Sequence, residues 1–97
     1  MKSYLKSPPW RSESFRRLIS TLPCQSCGAE GVQVAHRNQG KGMGMKVSDA
    51  LIVALCQTCH TAMDQGSEFT KQERTDMFNE CYVKQMQHLV EAGHIHA

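Results

Sequence analysis

The sequence predicts a small α+β fold stapled by a bound metal ion, and three observations predict it. The chain has 97 residues, a length that suits one domain whose core is too modest to be secure without a staple. Four of its five cysteines fall in two Cys-x-x-Cys pairs, Cys24/Cys27 and Cys56/Cys59. Around those pairs, short strand-like runs alternate with stretches of helical periodicity.

The elements follow in order. Residues 1–11 read as an extended basic arm, with Pro8 and Pro9 opposing regular structure. Residues 12–22 predict an amphipathic helix: Ser12 suits the N-cap, Phe15, Leu18, Ile19 and Leu22 recur at helical spacing, and Pro23 stops it. Cys24 to Gly28 is a knuckle, and Gly28 suits its tight turn because glycine tolerates positive φ. Val32 to His36 alternates as a strand does. Gly40, Gly42 and Gly44 mark residues 40–46 as a loop, and Ser48-Asp49 starts a turn or helical cap.

Leu51 to Leu55 predicts a second strand, and Cys56 to Gln65 a short helix ended by Gly66. Thr70 with Glu73 matches a capping box, opening a long helix that Gly93 closes. Met77, Phe78, Cys81, Tyr82, Met86, Leu89 and Val90 form its expected buried stripe. The organisation is a single domain over residues 1–97, with a zinc-bearing core at 24–66 and a C-terminal helix at 70–93.

Two paired thiol motifs supply the four soft ligands that tetrahedral zinc takes, so Cys24, Cys27, Cys56 and Cys59 predict one structural zinc ion per chain. The layout is that of a treble clef: knuckle, hairpin, then a helix whose first turn holds the second pair. The leftover Cys81 fits the core of the last helix.

The net charge of +2 is unevenly placed: residues 1–46 hold eight basic side chains against two acidic, and residues 47–97 hold three against seven. One basic face predicts a polyanionic partner; ordinary surface charge is the plainer alternative. No export signal or membrane-length apolar run is present, so a cytoplasmic, reducing setting is expected, with no membrane partner and no organic cofactor.

A second constellation lies beside the cysteines. His36 ends the first strand, while His60 and Asp64 share a helix face at i and i+4. Each has a plainer use: His36 as a structural histidine, His60 as a zinc-side residue replacing a cysteine, Asp64 as a solvated side chain, Asp49 as a turn cap. Val34-Ala35-His36, the glycine-rich loop, Asp49 and Leu55-Cys56-Gln57-Thr58-Cys59-His60 resemble the HNH endonucleases, also called ββα-metal or His-Me finger nucleases, and among them the small phage and prophage nucleases of the YbcO-like group. The resemblance covers roughly residues 20–95.

That resemblance implies a ββα-metal core and a metal-dependent DNA endonuclease of low sequence specificity, serving phage or prophage DNA processing. His36 would be the general base, Asp49 would orient it, and His60 with Asp64 would hold a Mg²⁺ or similar ion. Arg37, Lys41, Lys46, Arg16 and Arg17 would bind DNA, including branched or single-stranded forms. Ala35 stands where many of these nucleases carry an acidic metal ligand. A homodimer is one arrangement open to such a domain. The alternative is a non-catalytic zinc treble-clef module that binds nucleic acid or a protein.

Overall fold

Two short strands form an antiparallel sheet whose faces and outer edge are all covered by helices. The computed structural model describes residues 10–37, 48–65 and 68–95. The described elements are α1 (Glu13–Ser20), β1 (Val32–His36), a 3₁₀ turn (Asp49–Leu51), β2 (Ile52–Cys56), α2 (Gln57–Gln65) and α3 (Lys71–Glu91). The result is the small α+β fold that the sequence predicts. Gly66, the glycine-rich loop and residues 1–9 of the arm lie outside the described residues.

Strand register sets the architecture. Val32 pairs with Cys56 and His36 with Ile52. Successive side chains point to opposite faces, so Ala35, Val53 and Leu55 meet Met63 of α2 and Phe78 and Cys81 of α3. On the other face, Ile52 and Ala54 pack with Ile19, Leu22 and Leu89. Residues 52–55 of β2 are therefore buried on both sides.

The outer edge of β2 is closed by a side chain. Gln85 Oε1 accepts from Ala54 N at 2.8 Å, and its Nε2 donates to the Ile52 carbonyl at 2.8 Å. The carboxamide thus acts as a one-residue third strand and satisfies groups that would be costly to bury unpaired. Gln25 N, from the knuckle, takes the Ala54 carbonyl at 2.9 Å.

Several boundaries differ from the sequence reading. Ser12 caps α1 through Phe15 N at 3.1 Å, but the helix ends at Ser20, and Leu22 is buried from the turn beyond it. Leu51 belongs to the 3₁₀ turn and Cys56 closes β2, so the second cysteine pair straddles a strand end and a helix start.

The predicted stripe of α3 needs one replacement. Phe78, Cys81, Gln85 and Leu89 are buried, whereas Val90 is 53% exposed. At about 100° per residue, Val90 lies well off the line that these four define. The ends of α3 are as expected: Thr70 and Glu73 form the capping box, while Gly93 (φ +82) and His94 donate to the Val90 and Leu89 carbonyls.

Candidate functional site

The four paired cysteines converge. Their sulfurs all lie within 4.8 Å of one another, and those of Cys27 and Cys56 are 3.7 Å apart. Ligands about 2.3 Å from a tetrahedral zinc ion stand about 3.8 Å apart, so the set fits such a metal. Local structure aims them. Gly28, at φ +81, lets its N–H reach the Cys24 carbonyl at 2.8 Å, and Cys27 N points at the Cys24 sulfur at 3.5 Å.

The electrostatics favour a cation here. Burial pushes the Cys24 thiol up, but the backbone N–H groups of Cys27, Cys56 and Ser26 outweigh it and bring the pKa down to about 6. Burial, with the sulfurs of Cys56, Cys24 and Cys27, pushes Cys59 up to about 12 against a hydrogen bond with Ser26 that lowers it. The Cys24 thiolate forms readily and Cys59 resists, a conflict that a bound divalent ion resolves by taking all four as thiolates.

A second centre forms where the hairpin meets the N-terminal segment. Asp49, with no exposed surface, sits in the 3₁₀ turn before β2. Its Oδ1 accepts from Arg11 Nη1 at 3.0 Å and pairs with His36 Nε2 at 2.9 Å. Its Oδ2 accepts from Ser12 N at 2.8 Å and from Arg16 Nη1. Burial pushes the Asp49 carboxyl up, but His36, the Ser12 N–H, Arg16 and Arg11 together hold it well below the usual carboxylate range. The backbone N–H of Asp49 donates to the Trp10 carbonyl at 2.9 Å, so three consecutive residues, Trp10 to Ser12, are tied to this one residue.

His60 and Asp64 lie elsewhere. They line a groove of about 220 Å³ with Gln33, Gln57, Thr61 and Gln65. His60 Nδ1 is 2.8 Å from Gln33 Oε1. Gln33 and His36 are three positions apart on β1 and project from opposite faces. Among the described residues, the four cysteines are the one group of three or more His, Cys, Asp or Glu arranged to hold a metal. His60 and Asp64, expected to hold a catalytic ion, thus share one groove, whose lining does not include His36, and Ala35 is buried without a ligand atom. No third His, Cys, Asp or Glu joins the two as a metal-holding group among the described residues.

The expected DNA contacts divide. Arg16 joins the Asp49 centre, whereas the exposed Arg17 pairs with Glu13 at 2.6 Å. Arg37 is half-buried just past β1, with its N–H on the Leu51 carbonyl at 2.9 Å. Lys41 and Lys46 lie outside the described residues. Arg11 was expected only to extend the DNA footprint beside Arg16 and Arg17; no local pattern links it to a carboxylate 38 positions away. Gln33 was missed as well, because a lone glutamine in a strand carries no signal of the histidine it meets.

A family model described as "Protein of unknown function (DUF968)" matches residues 2–92. The chain is 32% identical over 68 residues to the uncharacterized protein YdfU of Escherichia coli (strain K12), a match covering 64% of this chain and 19% of that protein. The chain thus aligns with about a fifth of the length of the curated relative it matches. No solved structure is a significant match. The family match spans most of the sequence, and the chain belongs to the family of proteins of unknown function DUF968.

Proposed function

We propose that this chain is a zinc-braced nucleic-acid endonuclease domain of the HNH type, built as a treble clef, in which His36 is the general base. The observation that carries the reading is the His36–Asp49 pair at 2.9 Å, beside Arg11 and Arg16 and at the mouth of the hairpin. One structural zinc on Cys24, Cys27, Cys56 and Cys59 holds the knuckle, β2 and the start of α2 together, and so fixes the hairpin that carries His36.

The chemistry follows from the pair. A carboxylate on Nε2 holds the imidazole in the tautomer with its proton there, which leaves Nδ1 to take a proton from water. The water oxygen then bonds to the phosphodiester phosphorus as the bond to the 3′-oxygen breaks. The proton on Nδ1 returns to the departing oxygen or to solvent. Asp49 steadies the imidazolium formed in between, and the guanidinium groups of Arg11 and Arg16 offset charge growing on the phosphoryl oxygens. No step is assigned to a second metal ion, since no third ligand residue joins His60 and Asp64 among the described residues.

That two-ligand groove, with Ala35 where an acidic ligand is common, favours a second reading: a zinc module that binds nucleic acid without cutting it. Cleavage of plasmid and single-stranded DNA by zinc-loaded protein, over a series of added divalent metals, divides the two. The hydrolytic reading expects nicking that His36→Ala abolishes while zinc content is kept. Equal cleavage by both proteins, or none by either, rejects it.

A further inference from the structure

Trp10 is one of three large apolar side chains left exposed among the described residues, at 51%. The other two, Val83 and Val90, stand on the outer side of α3. Trp10 differs from them in being anchored. Its carbonyl takes the Asp49 N–H at 2.9 Å, and its indole packs on Phe15 with ring centroids 5.6 Å apart at 59°. Its neighbour Arg11 bonds Asp49 Oδ1 at 3.0 Å, and Arg16 bonds Oδ2. Consecutive Cα atoms are about 3.8 Å apart, so the indole and the Arg11 guanidinium leave adjacent backbone positions beside Asp49, and Arg16 reaches the same carboxylate from α1.

We propose that Trp10, Arg11 and Arg16 form a subsite for one unpaired nucleotide of single-stranded DNA, with the indole stacked on the base and the two guanidinium groups on its phosphate. Each guanidinium carries five N–H donors, and the contacts to Asp49 engage Nη1 of each. The arginine side chains remain 42% and 39% exposed, while Asp49 is fully covered behind them. An approaching anion therefore meets two cations before the carboxylate, and the carboxylate keeps the pair in position. The indole makes the subsite selective for unpaired bases, because stacking needs a bare base face that the interior of a duplex does not offer. This subsite deepens the reading of the His36 centre as one that handles nucleic acid, and rests on it for its place beside a scissile bond.

Trp10 is the sole tryptophan, so intrinsic fluorescence reports on it alone. Zinc-loaded full chain is titrated, without added magnesium, with a short oligothymidylate, a blunt DNA hairpin of equal phosphate number, and inorganic phosphate. The oligothymidylate should quench the indole saturably and shield it from iodide, with the hairpin about tenfold weaker and phosphate giving little quenching. By anisotropy of labelled oligothymidylate, Trp10→Leu should bind about tenfold more weakly and Trp10→Phe nearly normally, while Arg11→Gln and Arg16→Gln should bind more weakly and Lys71→Gln, at the exposed start of α3, little changed.

Absence of quenching, equal quenching by the hairpin, or loss in Lys71→Gln equal to that in Arg16→Gln would overturn the subsite. The iodide measurement on wild type decides the matter even where a variant fails to fold. Selective quenching without cleavage removes the hydrolytic reading alone; cleavage without quenching removes the subsite alone.

Discussion

His36 Nε2 lies 2.9 Å from Oδ1 of Asp49, and that carboxylate is wholly buried. The pair joins the end of β1 to the turn before β2, at the loop end of the hairpin, and Arg11, Ser12 and Arg16 join both to the N-terminal segment. Asp49 therefore has two duties: it fixes the imidazole, and it holds three stretches of chain together.

The structural duty predicts a stability loss with a particular pH dependence. Asp49→Asn should cost about 2–3 kcal/mol in urea denaturation at neutral pH, because four cationic or polar partners, Arg11, Ser12 N, Arg16 and His36, lose a charged acceptor. The folded-state pKa is depressed. The contribution is thus complete above the unfolded carboxylate value, about 3.9, and is lost as pH falls below it. The gap between wild type and variant, measured with saturating zinc, should be level from pH 8 to about 5 and should shrink below about 4. A gap that grows on acidification contradicts this assignment.

The cysteine cluster predicts coupled metal loss and unfolding. Elemental analysis should find about one zinc per chain, and a strong chelator should remove it together with much of the hairpin and α2 signal. Cys27→Ser or Cys59→Ser should lower Tm by more than 10 °C, on the order expected where a small domain loses its staple. Chelated protein that melts as the untreated protein does would rule out the bracing role.

Gln85 predicts an unusual outcome for a core substitution. Gln85→Leu keeps the volume and adds apolar character, yet should destabilise by about 2 kcal/mol because Ala54 N and Ile52 O are left buried without partners. Leu89→Ala should cost about 3 kcal/mol, whereas Val90→Gln should stay within about 0.5 kcal/mol. Stability gained in Gln85→Leu would show that the carboxamide does not close the sheet edge.

Much of the fold was legible because its signals are local. The N-cap at Ser12, the knuckle glycine at 28, the alternation from 32 to 36 and the capping box at Thr70 each announce an element within a few residues. The paired cysteines announced their own convergence. What escaped depends on contacts distant in sequence. Val90 has the right character for a core stripe, but the line of α3 follows Gln85, whose partners lie 31 and 33 positions away. Helix spacing brought His60 and Asp64 to one groove, but it carried no signal of Gln33, the strand residue that His60 meets. Arg11 became part of the centre only when the chain folded back on Asp49.

The claim that matters most is that His36, held by Asp49, removes a proton from the attacking water. The direct measurement is the single-turnover cleavage rate of single-stranded DNA by wild type, His36→Ala and Asp49→Asn, each shown to hold zinc. The account predicts a loss of about 100-fold or more for His36→Ala and a smaller loss for Asp49→Asn, with oligonucleotide affinity kept in the His36 variant. Cleavage by His36→Ala at the wild-type rate would contradict it.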